Sequence, residues 1–240
     1  MQNVSAEAQI AAYWDKRSSE FSRVRRLELT GVDAEMWKNF LRRCLPPPQQ
    51  GRVLDVGTGA GFFPVLLSTL GYDVVGIDLS TQMLHEAEQN LTRYGCKAVL
   101  KQMNAQALEF PNESFAAVIS RNLIWTLPDA MQAYREWHRV LQYGGVLISI
   151  DSDYGEIKFS ASDDPKNVHS RINDELLTEC NAIKDSLRIS THRRPAWDAE
   201  FLRRLNMRVT VKENIAAEVH KDSNISYDDV PLFAVQAVKR

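Results

Sequence analysis

The sequence has little cysteine, and its three cysteines match no metal-binding or redox spacing. Cys44, Cys96 and Cys180 stand far apart, so any disulfide scheme leaves one of them unpaired. The five histidines also lack the mutual spacing of a ligand set. We therefore expect no metal site, and cysteine usage favours a reducing cytoplasm.

An excess of one charge and long apolar runs are also missing. The 29 Lys and Arg residues nearly balance the 31 Asp and Glu residues, which gives no general attraction to a phosphate backbone. No apolar run approaches the length of about 18 residues that a membrane span needs, and the first residues lack the pattern of a secretory signal. We expect a cytoplasmic protein, a monomer or homodimer, that binds neither nucleic acid nor membrane.

Apolar and charged residues occur in ordinary shares, 44% and 25% of 240 residues, which suits one generous domain. Helical spacing runs through residues 1–45, where Thr30 and Asp33 suggest a capping box, and ends at Pro46–Pro48. Short apolar runs then alternate with helical ones, a pattern that predicts a doubly wound α/β sheet.

Seven strands are predicted, namely Arg52–Val56, Asp73–Ile77, Ala98–Met103, Phe115–Ser120, Val146–Ile150, Met207–Glu213 and Leu232–Lys239. Helices are expected at Phe62–Leu70, Thr81–Tyr94 and Asp129–Gln142, over Val168–Leu187 as one long amphipathic helix, and at Trp197–Leu205.

A glycine-rich turn follows the first predicted strand and opens a helix. Gly57, Gly59 and Gly61 allow positive φ angles and expose N–H groups to a ligand. The third glycine comes one place too early for the dinucleotide pattern G-x-G-x-x-G, because Phe62 occupies the sixth position, and no Walker lysine follows. Asp78 ends the next strand, where a carboxylate can hold a ribose diol. These features indicate a nucleoside cofactor without pyrophosphate.

Four ordered segments within residues 50–150 then resemble the class I S-adenosylmethionine-dependent methyltransferases, in particular the type 11, small-molecule branch. They are Leu54-Asp-Val-Gly-Thr-Gly-Ala-Gly, Gly76-Ile-Asp-Leu-Ser-Thr-Gln-Met-Leu, Asn104-Ala-Gln-Ala-Leu-Glu-Phe and Arg139-Val-Leu-Gln-Tyr-Gly-Gly. The resemblance implies S-adenosylmethionine as cofactor and a Rossmann-like, mostly parallel sheet of seven strands whose last strand is antiparallel.

The resemblance also implies roles for individual residues. Asp55 and the turn from Gly57 through Thr58 and Gly59 to Gly61 would hold the methionine end, and Asp78 the ribose hydroxyls. Leu79 and Met83 would flank the adenine, while Asn104 and Ala105 would lie at its amino group. The family commonly has Asp where this chain has Asn104, whose amide oxygen can also accept a hydrogen bond.

Further candidates surround this core. Tyr13 and Arg17 look like part of the segment that covers the cofactor near its carboxylate, the alternative being a helix packing patch. Arg121, in the same cofactor-binding set, could instead bind a substrate anion or cap a helix. Asn122 and Trp125 end the fourth strand on the substrate side, although Trp125 could equally belong to the core.

No catalytic triad is visible, and a general base is optional for methyl transfer to an amine or thiolate. His169, His192 and Asp151 are the weak catalytic candidates, against the alternatives of exposed histidines and a turn-capping aspartate. The signature Asn-Pro-Pro-Tyr of base-methylating relatives is absent at the fourth strand, where Ser120-Arg-Asn-Leu stands, which favours a small-molecule substrate.

The expected organisation is one domain in four parts: a helical cover at 1–45, a cofactor-binding core at 50–151, a helical cap or substrate lid at 152–196, and a C-terminal helix and strands at 197–240. The predicted function is methyl transfer to an N, O or S atom of a small molecule. The alternatives are a non-catalytic S-adenosylmethionine-binding module, acting as a sensor or assembly subunit, and a nicotinamide oxidoreductase.

Overall fold

The computed structural model describes residues 5–240 and is built around one seven-stranded sheet with the spatial order β3-β2-β1-β4-β5-β7-β6. The strands are β1 (Val53–Val56), β2 (Val74–Asp78), β3 (Val99–Gln102), β4 (Phe115–Arg121), β5 (Leu141–Ser152), β6 (Met207–Lys212) and β7 (Leu232–Lys239). The first five strands pair in parallel, and β7 runs antiparallel to both β5 and β6. The predicted doubly wound α/β fold, with its last strand antiparallel, is confirmed.

Eight α-helices surround the sheet in the part of the chain that is described. They are α1 (Ala6–Thr30), α2 (Val32–Cys44), α3 (Phe62–Thr69), α4 (Thr81–Arg93), α5 (Ala130–Val140), α6 (Asp174–Ser186), α7 (Ala196–Arg204) and α8 (Ala216–Val219). The connection from β5 to α7 contains α6 and runs through the region expected to form a cap. The first four residues of the expected N-terminal cover lie outside the described residues.

Two apolar cores lie on opposite faces of the sheet, because successive side chains of a strand point to opposite sides. In β1, Leu54 and Val56 belong to the core that includes Trp137 of α5. Val53 instead belongs to the core around Trp37 of α2. All three β1 side chains are fully buried, as expected for a central parallel strand covered by helices on both faces.

The predicted capping box at Thr30 is wrong. Helix α1 continues through Thr30, whose hydroxyl donates to the carbonyls of Arg26 and Leu27, the back-bonding that serine and threonine commonly make within helices. Gly31 precedes α2 with no side-chain cap. The Asp33 carboxylate is buried instead and accepts the backbone N–H of Asp222 at 2.8 Å.

Two further element boundaries differ from prediction. The chain passes directly from α5 into β5 at Leu141, which pairs with Phe115 before the strand turns at Gly144 with φ +75°; the helix therefore does not reach Gln142. Helix α6 begins at Asp174 and not at residue 168, because Asn173 caps it by accepting the N–H of Leu176 at 2.8 Å.

Candidate functional site

A cavity of about 990 Å³ opens at the carboxyl ends of β1 and β2, beside the point between β1 and β4 where the order of the strands changes direction. Open α/β sheets bind ligands at such a topological switch point. The glycine turn forms one wall: Gly59 has φ +51°, and a Cβ there would lie 3.2 Å from the Phe21 ring. A side chain at this position would thus both strain the backbone and crowd α1.

Gly61 has a different task from the other turn glycines. It caps α3 with φ +80°, and a Cβ there would lie 3.0 Å from the Ala87 Cβ of α4. Gly61 does not appear among the described residues that line the cavity. The third glycine therefore serves the close packing of α3 on α4.

Asp78 ties the end of β2 to the glycine turn. Its carboxylate accepts the N–H of Gly59 at 2.8 Å and the N–H of Ser80 at 2.9 Å, and Asp78 lines the cavity. Desolvation raises the pKa of Asp78 to about 6, against the lowering effect of these backbone donors. The carboxylate keeps further acceptor sites for a ligand hydroxyl.

Asp55 lies deeper, below the same turn. It is 2% exposed, accepts the Thr58 hydroxyl at 2.6 Å, and lines the cavity together with Thr58. Burial, with a smaller contribution from the nearby charge of Asp78, raises the pKa of Asp55 to about 7. The two carboxylates make this end of the cavity favourable for a cationic group.

Other residues of the cavity lining are mainly apolar. They include Leu79, Met83, Asn104 and Ala105, which were predicted to surround an adenine. The amide oxygen of Asn104 accepts the backbone N–H of Gln106 at 2.9 Å and its side-chain amide at 3.3 Å. Asn104 therefore stabilises its own turn, and its bond to a purine amino group stays a prediction.

A second cavity, of about 1140 Å³, adjoins the first. Five residues line both cavities: Trp14, Phe21, Arg25, Arg121 and Asn122. Asn122 has φ +54°, a conformation that is costly for a residue other than glycine, and its buried side-chain oxygen has no hydrogen-bond partner among the described residues. Such an unpartnered acceptor at the junction is suited to bind a ligand.

Aromatic side chains form much of the second cavity's wall. Trp125 is 8% exposed and packs with ring centroids 5.4 Å from Tyr154 and 5.3 Å from Phe159. Sequence analysis left Trp125 between a ligand-facing role and the core. It lines the second cavity and not the first, as part of this aromatic cluster.

A buried charge cluster, which the sequence analysis missed, underlies the junction. Glu28 is fully buried and pairs with Arg25 at 2.6 Å and Arg121 at 2.8 Å, and it accepts the Tyr227 hydroxyl at 2.7 Å. Burial would raise the pKa of Glu28, but the guanidinium groups of Arg121 and Arg25 together lower it to about 2. Arg121 is thus held by a carboxylate from α1 and caps no helix.

The remaining predicted site residues do not line the first cavity. Tyr13 and Arg17 line the second cavity and not the first, so the structure places them away from the glycine turn. His169 also lines the second cavity, with its Nε2 atom 2.9 Å from Asp228 Oδ2. Its Nδ1 atom has no hydrogen-bond partner within residues 5–240.

Neither His192 nor Asp151 is among the described residues that line the two cavities. His192 lies in a separate groove, stacked on Trp197 with centroids 4.8 Å apart. Asp151 is fully buried and pairs with Arg194 at 2.8 Å, which also binds Asp198. The packing of the β5-to-α7 connection separates these two candidates from His169.

Over the described chain, no group of three or more His, Cys, Asp or Glu side chains is arranged to hold a metal ion. None of the helices in that part combines the length and apolar character needed to cross a bilayer.

Comparison with known proteins bears on the core of the chain. Residues 54–149 match the family described as a methyltransferase domain, and they contain the glycine turn, Asp78 and Asn104. This match confirms the predicted resemblance to the class I S-adenosylmethionine-dependent methyltransferases over those residues. S-adenosylmethionine is the cofactor of this family.

Curated relatives match mainly the core of the chain. Phosphatidylethanolamine N-methyltransferase of Cereibacter sphaeroides is 36% identical over 103 residues, covering 42% of this chain and 50% of its own length. Aklanonic acid methyltransferase of Streptomyces sp. strain C5 is 32% identical over 152 residues, covering 60% of this chain and 66% of its own length. The chain spans about half the length of most curated relatives it matches.

A solved S-adenosylmethionine-dependent methyltransferase of Thermotoga maritima, described as a possible histamine N-methyltransferase, shares the fold. It superposes with a TM-score of 0.59 at 19% identity, over 96% of this chain and all of that protein. At this identity the likeness concerns the fold alone.

The residues that line the first cavity suit S-adenosylmethionine. The glycine turn leaves its wall free of side chains, Asp78 offers a carboxylate for hydroxyl groups, and Asp55 adds negative charge toward a cationic ligand. The apolar lining residues, among them Met83, which is 2% exposed, suit a purine ring.

Proposed function

We propose that this chain transfers the methyl group of S-adenosylmethionine to a nitrogen, oxygen or sulfur atom of a small molecule bound in the second cavity. The observation that carries the proposal is the direct adjacency of the two cavities, which share Arg121 and Asn122 at the end of β4. A donor in one cavity and an acceptor in the other would meet at this junction.

In the first cavity, Asp78 would accept the ribose hydroxyls, and the Gly57–Gly61 turn with Asp55 would hold the methionine end. Leu79, Met83 and Ala105 would enclose the adenine. When bound, S-adenosylmethionine supplies a methyl group that its sulfonium already activates.

The protein's main contribution would then be alignment and the exclusion of water. Holding two reactants in attack geometry can supply about 7–11 kcal/mol of the barrier. Helix α1 contributes Trp14 and Phe21 to both cavities and thereby covers the junction. At the same point Asn122 offers its unpartnered amide oxygen to a donor group on the acceptor, which would orient the attacking atom.

A proton acceptor for a hydroxyl substrate is also present. His169 lines the second cavity, pairs with Asp228 at 2.9 Å, and retains an unpartnered ring nitrogen within the described residues. A carboxylate partner of this kind orients an imidazole and stabilises its protonated form. We assign the general-base role to His169, used for hydroxyl acceptors and dispensable for amines or thiolates.

By their names, these two relatives act on different acceptors, phosphatidylethanolamine and aklanonic acid. They support methyl transfer and leave the acceptor open. The cap region and helix α1 both contribute to the second cavity, in keeping with the proposed lid at 152–196 and cover at 1–45. Residues of the 216–232 segment, including His220 and Tyr227, add to it.

The test combines calorimetry with a product assay. S-adenosylmethionine and S-adenosylhomocysteine should bind, NAD should not, and labelled methyl groups should appear in products from a panel of amines, phenols and thiols. Cofactor binding without any methylated product would favour a non-catalytic binding module. Light scattering of the same sample checks the predicted monomer or homodimer.

A further inference from the structure

Arg17 is a buried cation without a counter-charge. It lies on α1, is 5% exposed and lines the second cavity. Within residues 5–240 its guanidinium makes no hydrogen bond or ion pair, and its Nε atom is fully enclosed without a partner. An isolated buried charge is costly, so its retention calls for a partner from outside the chain.

The groups around Arg17 do not balance its charge. The carboxylate of Glu179 binds Lys16 at 2.9 Å. Tyr13 and Cys180 line the same cavity, and burial raises the pKa of both side chains, so both are neutral near pH 7.

The other charged side chains of the cavity wall have partners within the described residues. Arg25 and Arg121 pair with Glu28, and the Tyr227 hydroxyl that binds Glu28 also donates to the buried carboxylate of Asp33 at 3.1 Å. Asp228 lies 2.9 Å from His169. Among the described residues of this wall, Arg17 is therefore the cation without a carboxylate partner.

We infer that the methyl acceptor carries an anionic group, a carboxylate or a phosphate, which Arg17 binds. The inference rests on the proposed function of the second cavity as the acceptor site. A guanidinium presents paired N–H donors that match both anions, and such charge-assisted bonds are about twice as strong as neutral ones. The aromatic wall formed by Trp125 and Phe159 would accommodate an apolar body attached to the anion.

The test measures the affinity of three small probes that share a phenyl ring and carry different polar groups: phenylacetate, phenyl phosphate and phenylacetamide. Calorimetry is done with and without saturating S-adenosylhomocysteine. At least one anion should bind about tenfold or more tightly than the amide, since hydrogen bonds to charged groups are the stronger kind. The better of the two anions identifies the headgroup.

Three variants test whether Arg17 causes the preference for anions. Arg17→Met should abolish the preference for anions, and Arg17→Lys should keep part of it, because an ammonium lacks the paired donors. Arg23→Gln is the matched control, since Arg23 lies on the same helix but pairs with Glu20 at 2.7 Å and lines neither cavity. It should behave like the wild type.

The stability of the Arg17→Met variant distinguishes a ligand-binding role of Arg17 from a structural one. Arg17→Met removes a charge without leaving a partner unsatisfied, so the free energy of unfolding should stay equal or increase. Equal affinity for anions and amide, or an anion preference that survives Arg17→Met, would overturn the inference even if S-adenosylmethionine binds and methyl transfer occurs. A different outcome would refute the proposed function alone: the protein binds anions through Arg17 but has no affinity for S-adenosylmethionine.

Discussion

Replacing Asp78 by Asn tests the cofactor site most directly. The side chain keeps its size but loses its charge at the point where two backbone donors, Gly59 N–H and Ser80 N–H, already converge at 2.8 and 2.9 Å. An amide group can accept with one atom only, so a ligand hydroxyl would compete for the single remaining oxygen.

The magnitude follows from the bonds lost. Hydrogen bonds to charged groups contribute about 1.5–3 kcal/mol and neutral ones about 1 kcal/mol. Asp78→Asn should therefore weaken S-adenosylmethionine binding by about 0.5–2 kcal/mol for each ligand hydroxyl that it binds, which raises Kd by roughly 2-fold to 30-fold per hydroxyl. Calorimetry gives Kd directly, and urea unfolding establishes that the variant is folded.

Asp73→Asn is the matched control, because Asp73 precedes the same strand and pairs with Arg52 on the surface at 3.0 Å. Its Kd should equal that of the wild type. An unchanged Kd in Asp78→Asn would remove Asp78 from the cofactor site and with it the interpretation of the first cavity.

The pH dependence of cofactor affinity is a second test of the same site. Because the pKa of Asp78 is raised to about 6, the carboxylate is ionised above that pH and becomes protonated below it. Affinity for the cofactor should therefore fall as pH is lowered from 7 to 5. Asp78→Asn should lose the part of this change that Asp78 contributes and keep the part due to Asp55, whose pKa is about 7. A wild-type affinity that is flat over this range contradicts the assignment.

Three further substitutions test the buried charge cluster around Glu28, the packing of α3 on α4 and the proposed general base His169. Glu28→Gln should lower stability by about 3–5 kcal/mol, because two buried guanidinium groups lose their only carboxylate in the described cluster; denaturant unfolding measures this. Since the folded pKa of Glu28 is about 2, its contribution is present above pH 4.5 and is lost as pH falls toward 2. Gly61→Ala should destabilise by about 1–3 kcal/mol, because it combines φ +80° with a 3.0 Å approach to Ala87. His169→Gln should lower kcat for a phenol acceptor by about 10²–10⁴ without changing the cofactor Kd.

Each of these has a control of the same residue type. Glu20→Gln removes a partly exposed pair on α1 and should cost less than about 1 kcal/mol. Gly71→Ala shares a φ of +82° but meets nothing within 4 Å, so it isolates strain from the clash. His192→Gln should leave activity intact, because that ring stacks on Trp197 outside both cavities. Equal effects in a variant and its control would contradict the corresponding argument.

The fold and the first cavity were largely predictable because their signals are local. The turn glycines lie within five residues of one another, and the structure gives all of them positive φ. Asp78 follows one strand later, and parallel pairing of β1 with β2 brings the two strand ends together. Boundary errors arose where tertiary contacts prevailed, as at Leu141, where pairing with Phe115 ends α5 early.

The second cavity depends on contacts between residues distant in sequence. Glu28 meets Arg121 and Tyr227 only because α1 crosses the sheet edge beside the C-terminal segment. His169 and His192 lie in the same connection and look alike in sequence, yet one faces the cavity and the other a separate groove.

By itself, then, the amino-acid sequence predicted the doubly wound α/β sheet, the glycine turn after its first strand and a nucleoside cofactor. Backbone preferences and the alternation of apolar residues act over a few positions and can be recognised in a linear chain. Only the tertiary structure decided that Arg17 is buried beside the second cavity without a counter-charge. Burial and ion pairing depend on side chains that packing brings together from distant parts of the chain.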